Sequence, residues 1–324
     1  MFRITVAATV LLAAMSARAA EPLLFEKSIP LTGVEGRIDH LAADISGQRL
    51  FVAALGNNTV EVLDWNSGRR IKSIGGLDEP QGIVYRGDTN RLYVATGGDG
   101  SVRIYEGSSF ALLRTLKLGE DADNLRFDAS AKLVWAGYGS GALTAIDGEG
   151  NRVADIPVGA HPESFQLEKN GSRIFVNVPG LRKIVVIDRL KKTVVAGWGI
   201  GLEISNFPMA LDEDSKRLLF VCRTPARLIV FDTDSGKSVV KMPTLGDSDD
   251  LFFDAAHHRV YATGGEGAIA IYQQQTADRY AQIGRIATAA GARTSLFVPE
   301  ANRLFVAVPH RGAQQAELRV YRAE

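Results

Sequence analysis

Arg49-Leu50-Phe51-Val52 is a basic residue followed by apolar β-formers, and the same four-residue phrase returns through the whole chain. The further copies are Arg91-Leu92-Tyr93-Val94, Lys132-Leu133-Val134-Trp135, Arg173-Ile174-Phe175-Val176, Arg217-Leu218-Leu219-Phe220, Arg259-Val260-Tyr261-Ala262 and Arg303-Leu304-Phe305-Val306, spaced 41 to 44 residues apart. A fixed period of roughly forty residues, in units too small to bury a face alone, is the signature of a repeat architecture.

Within a unit the signals keep one order. In the second copy Gly82-Ile83-Val84-Tyr85 is followed by the turn Gly87-Asp88-Thr89-Asn90, and the strand 91–96 by the turn Gly97-Gly98-Asp99-Gly100. Ser101-Val102-Arg103-Ile104-Tyr105 then alternates with period two, and the stretch 111–118 ends the unit. Short β-branched and aromatic runs punctuated by Gly, Asn and Asp read as antiparallel strands joined by hairpins. Four strands per unit and seven units predict an all-β chain, a seven-bladed β-propeller that hides its sheet edges by closing on itself. The chain ends on Glu317-Leu318-Arg319-Val320-Tyr321, which matches a third strand, so the last blade lacks its fourth. Residues 23–31 resemble the fourth strands and are expected to complete that blade and close the ring.

Arg3, the apolar run Ile4 to Met15 and the small residues Ala17-Arg18-Ala19 have the layout of a cleaved signal peptide. The expected division is therefore a leader over 1–19 and a single domain over 20–324, exported to a periplasm or secreted. The leader run is too short to span a bilayer and no other stretch approaches the required length, so no membrane span is expected. Basic and acidic residues balance at 37 each, without a run of like charge, which argues against strong nonspecific nucleic-acid binding. The single cysteine, Cys222, lies in an apolar strand and reads as a small buried hydrophobe rather than a nucleophile. A monomer is expected.

The phrases Arg49-Leu50-Phe51-Val52 with Val60-Glu61-Val62-Leu63-Asp64, Arg173-Ile174-Phe175-Val176 with Ile184-Val185-Val186-Ile187-Asp188, and Arg217-Leu218-Leu219-Phe220 with Leu228-Ile229-Val230-Phe231-Asp232 resemble the YVTN-type, YncE-like bacterial propeller repeats. The resemblance covers residues 23–321. It implies a fold shared with quinoprotein-dehydrogenase-like and lactonase-like propellers and a family in which many members have no assigned activity. The closing Trp-Asp of WD40 repeats is absent; Asp64-Trp65 has the reverse order.

Where the seven copies agree, the residue serves the blade; where they differ, the position is free for function. The turns between first and second strands agree, and the aspartates ending the third strands (Asp64, Asp147, Asp188, Asp232) read as Asx turns. The loops leading into the innermost strands differ. They bring Asp39, His40, Gln81, Asp123, Asn124, His161, Glu163, Asn206, Asp249, Asp250 and Arg293 to one end of the channel, and hairpins add Arg223, His310 and Arg311. A convergent polar cluster at a channel mouth is the default ligand site.

Three functions compete. A binding or interaction module, with an unidentified small molecule or periplasmic protein as its partner, is favoured because no catalytic motif is present: no Gly-x-Ser-x-Gly, no His-Glu-x-x-His, no phosphate-binding loop. The alternative is a lactonase-like metal-dependent hydrolase, with Asn124, Glu163, Asn206 and Asp250 holding a divalent cation such as calcium and His40 or His161 as base. A quinone-cofactor dehydrogenase ranks last, since Trp65, Trp135 and Trp198 are placed for blade packing. The cofactor stays unknown, a divalent cation being called for only under the hydrolase alternative, and the expectation leans away from an enzyme.

Overall fold

In the computed structural model, residues 21–139 and 141–324 are described. The leader read over 1–19 lies outside them. Every strand falls into one of seven four-stranded antiparallel sheets, and the sheets stand as blades around a ring. The first six occupy residues 41–74, 80–117, 122–157, 165–199, 204–243 and 248–287 in chain order. The seventh combines Ser295–Val298, Arg303–Val308 and Glu317–Ala323 with the N-terminal strand Leu23–Pro30.

That N-terminal strand closes the ring as its sequence implies. It runs antiparallel to the last strand from Leu23 opposite Ala323 to Pro30 opposite Glu317, with an irregularity between Phe25 and Lys27. Leu23, Ile29 and Leu31 are buried.

The core consists of seams between blades rather than one central mass. Phe51, Val60 and Val62 pack on Ile83, Leu92 and Val94 of the second blade. Leu50, Val52 and Trp65 pack the other way, against Ile29, Phe305 and Leu318 of the seventh. Each further pair of neighbours has an equivalent cluster. Successive side chains of a strand point to opposite faces. A second strand buried on both faces must therefore be apolar at every position, which is why Leu-Phe-Val runs unbroken after the basic residue.

The basic residue itself ties one blade to the next. Arg49 donates to the Gly107 carbonyl at 2.6 Å, Arg91 to that of Gly148, Arg173 to that of Thr233 and Arg259 to that of Glu324. Arg217 donates to the Asp278 carboxylate at 2.8 Å. Each acceptor stands just beyond the third strand of the following blade. At the ring closure Lys27 supplies the tie, donating to the carbonyls of Trp65 and Asn66 at 2.8 and 2.6 Å.

The third copy of the phrase is displaced by one residue. Asp128 pairs with Leu133 where Asp44 pairs with Arg49, so Leu133, not Lys132, holds the arginine position. Lys132 occupies the left-handed turn position (φ 59°) filled by Gln48 in the first blade. The contact across this seam runs in reverse instead: Arg189, in the fourth blade, reaches back to Asp128 at 3.0 Å, both groups buried.

The aspartates that end the third strands are turn residues as expected. Asp64 accepts the amides of Asn66 and Ser67 at 2.9 and 2.7 Å, and Asp232 that of Ser235 at 2.8 Å. Cys222 is fully buried, and burial pushes its thiol up to about 12. A buried thiol held in its protonated form is a poor nucleophile.

Removing residues 20–31 deletes three buried apolar side chains worth about 2 kcal/mol each and exposes the edge of the seventh blade. The truncated protein should melt roughly 10 °C or more below the full chain. Melting at the wild-type temperature in a calorimetric scan would show that the ring closes without this strand.

Candidate functional site at the channel mouth

The loops that enter the innermost strands converge at one end of the channel. At the second, third, fifth and sixth blades the approach is a residue forced into left-handed backbone: Glu79, Asp121, Ser205 and Asp247 have φ of 50°, 39°, 62° and 52°. This turn swings the next residues inward. Together the seven loops enclose a cavity of about 210 Å³ whose lining comes from every blade and is mostly ionisable.

Eight of the residues singled out as ligand-binding line this cavity: Asp39, His40, Gln81, Asn124, Glu163, Arg223, Asp249 and Arg293. Asp123 and His161, read as ionisable mouth groups, line it too. The remaining four lie elsewhere. Asn206 is fully buried in the seam between the fourth and fifth blades, donating to Asn177 Oδ1 at 2.8 Å and the Lys183 carbonyl at 3.2 Å. Asp250 faces a deeper chamber of about 390 Å³ on the channel axis, where it accepts the Ser295 amide at 2.9 Å. His310 pairs with Glu35 at 2.7 Å, and the Arg311 backbone forms a bridge with Gln314. The calcium-type set Asn124, Glu163, Asn206 and Asp250 is therefore divided among a mouth, a seam and an inner chamber.

Two groups of charge face each other across the mouth. On one side Arg223 pairs with Asp249, lies 3.9 Å from the centre of the Phe207 ring, and donates to the Ser248 carbonyl at 3.1 Å. Arg293 pairs with Asp247 at 2.9 Å. Arg37 pairs with Asp39 at 2.6 Å. On the other side Asp123, His161 and Glu163 bring a ligand atom each to within 4.8 Å of one another. Gln81 closes this wall by donating to Asp121 at 2.9 Å.

His40 is held between Asp39 (3.5 Å) and Asp250 (3.3 Å). Burial disfavours its imidazolium, but the two carboxylates outweigh that and push His40 up to about 9. Asp39 is raised, first by its own burial. Burial would also raise Asp123, yet the imidazoles of His161 and His40 hold it below the usual carboxylate range. His161 is pushed up to about 9, chiefly by Asp123. Glu163 is pushed up to about 8 by burial and by the charge of Asp123. The neighbouring carboxylates therefore favour the charged form of both imidazoles.

Two acids escape a reading of the sequence: Asp121, which lines the cavity, and Asp247, which pairs with the lining residue Arg293. Their left-handed turn positions mark them as loop formers, and nothing in spacing separates that from a role in the cavity. The three tryptophans belong to the blades: Trp65 stacks on Phe305 at 5.9 Å, Trp198 lies 5.6 Å from Phe175, and Trp135 is buried in a seam.

No known family profile matches the chain. An uncharacterized WD repeat-containing protein of Synechocystis is 32% identical over 110 residues, which is 34% of this chain and 29% of that protein. Among solved structures, a chain of the Mitotic Checkpoint Complex superposes with a TM-score of 0.76 at 14% identity, covering 100% of this chain and 98% of its own. This chain is a seven-bladed propeller with a distant WD-repeat relative. A chain of Kuenenia stuttgartiensis hydrazine synthase gives 0.73 at 16% identity over 85% of this propeller and 94% of that chain. At such identities the likeness concerns the fold. Among the described residues no helix is long and apolar enough to cross a membrane.

The charge network predicts a stability that falls with alkalinity. A group whose pKa rises on folding stabilises the fold fully below its unfolded value and loses that contribution as pH climbs through its folded value. For His40 the loss runs from about 6.5 to about 9, and for Glu163 from about 4.5 to about 8. Thermal melts should show Tm declining across this range, and His40→Gln should flatten the upper part. An unchanged slope in that variant would refute the Asp39–His40–Asp250 network.

Proposed function

We propose that the protein is an exported propeller of the YncE-like type that binds a small polar molecule in its channel mouth. The carrying observation is the mouth itself: a cavity of about 210 Å³ with guanidinium groups on one side and a carboxylate–imidazole wall on the other. Such a lining complements a small molecule bearing groups of both signs. Buried polar atoms of the lining without hydrogen-bond partners, Asn124 Oδ1, Asp249 Oδ2 and Arg293 Nε, are positions where a bound molecule recovers lost hydrogen bonds. Export is supported by the apolar run Ile4–Met15 and the Ala17-Arg18-Ala19 site. The YncE-like assignment is supported by the Leu-Phe-Val phrases and by the absence of a closing Trp-Asp. The propeller fold itself is consistent with binding and interaction roles.

Hydrolysis is the second reading. It is favoured by the Asp123–His161–Glu163 cluster rather than by the calcium-type set read from the sequence.

The test is a thermal-shift panel of amino acids, short dicarboxylates and sugar acids on wild type and Arg223→Ala. At least one compound should raise the wild-type Tm, and the variant should lose most of that rise. Stabilisation that persists unchanged in Arg223→Ala would move the binding site away from the mouth. A panel without effect, beside a partner protein captured independently of Arg223, would replace the small-molecule reading with a protein-docking one.

A further inference from the structure

The geometry points to Asp123, His161 and Glu163 as a binding site for a divalent transition-metal cation, with Asn124 beside it. The inference rests on reading the mouth as the ligand site, and names one of its occupants.

The three side chains offer two carboxylates and an imidazole, with ligand atoms within 4.8 Å of one another. A single cation at coordination distances of about 2.0–2.2 Å can contact all three after small rotamer adjustments. The wall also has unused capacity. Glu163 is half-buried, yet among the described residues its carboxylate takes no hydrogen bond and no ion pair within 4.0 Å. Asn124 is 2% exposed, lines the same cavity, and its Oδ1 has no hydrogen-bond partner. A buried acceptor left unpaired is costly, and a cation or a water bound to it satisfies such an atom.

The orientation of His161 agrees. Its Nδ1 lies 2.9 Å from the Gly139 carbonyl, a hydrogen bond that fixes the proton on Nδ1. Nε2 is left facing Asp123 Oδ2 at 3.8 Å, beyond hydrogen-bond range. A ring whose other nitrogen is anchored to a backbone carbonyl is how metal-ligating histidines are held. The nearby guanidinium of Arg223 does not compete for the wall, because Asp249 and the Ser248 carbonyl already engage it.

Ligand chemistry selects the ion. Calcium and magnesium prefer all-oxygen shells, whereas an imidazole with two carboxylates suits zinc or manganese. Three protein ligands leave at least one coordination position open toward the cavity, the arrangement that lets a metal hold an incoming oxygen.

The experiment is calorimetric titration of the purified, chelator-stripped protein with zinc chloride, alongside manganese, calcium and magnesium. One zinc per chain is expected, with calcium and magnesium at least tenfold weaker. Glu163→Gln and Asp123→Asn should each weaken zinc at least tenfold. Glu300→Gln, at the opposite end of the channel, should leave it unchanged. A fold control is built in: the Glu163 carboxylate has no side-chain partner among the described residues, so the metal-free Glu163→Gln variant should melt close to the wild-type temperature while losing the zinc-dependent rise. Absence of stoichiometric zinc, or zinc binding indifferent to both carboxylate variants, overturns the site. Failed zinc binding with an Arg223-dependent compound shift intact would overturn the metal and leave the mouth reading standing. Zinc binding without any such shift would support the metal and remove that reading.

Discussion

The structure depends on the seam between neighbouring blades. A four-stranded sheet of this size cannot shield either face by itself, so each second strand is buried on both sides by its neighbours. At the rim of each seam a hydrogen bond or ion pair to a residue at the strand start, or in one case across it, fixes how the blades meet. Arg49, Arg91, Arg173, Arg217 and Arg259 do this in the forward direction. Lys27 does it where the chain ends meet, and Arg189 does it backward where Leu133 stands in the arginine position. Every seam is tied at its rim, although the donor and direction differ at the two seams held by Lys27 and Arg189.

Closing the ring has an electrostatic consequence at its centre. Seven loops that would be ordinary solvated turns on an open sheet are pressed into one small mouth. Their carboxylates, imidazoles and guanidiniums then share a partly desolvated space in which each charge must find a partner or shift its proton affinity. His40 resolves this by sitting between two acids, Arg223 by pairing with Asp249 over the Phe207 ring, and Asp123 by facing two imidazoles. Glu163, which has no side-chain partner among the described residues, resolves it by an upward shift in proton affinity. The same closure that hides the sheet edges thus concentrates chemical potential in the mouth.

Much of the fold was legible because its causes are local and repeated. The unbroken apolar phrases report strands buried on both faces, and the Asx turns at Asp64 and Asp232 report hairpin ends. The missing fourth strand of the last blade pointed to residues 23–31. The one slip, Lys132 for Leu133, arose where a basic residue happens to fill the turn position immediately before the strand. Only pairing with Asp128 distinguishes the two registers. The mouth was legible as a region because its loops differ from copy to copy. Its membership was less so. Asn206 carries the same amide as Asn124, yet one satisfies a seam and the other lines a cavity, and Asp250 points inward while adjacent Asp249 meets Arg223.

The sequence by itself determined the number of blades, the strand order within each and the way the ends join. Those features follow from residue periodicity and turn chemistry, which act over a few positions and recur seven times. Tertiary structure alone decided which charges meet: that His161 faces Asp123 and Glu163, that His40 bridges Asp39 and Asp250, and that Asn206 belongs to a seam. These pairings join residues of different blades, or neighbours that differ only in which way a side chain turns. They are set by ring curvature and by left-handed turns at the loop tips, quantities that no local spacing encodes.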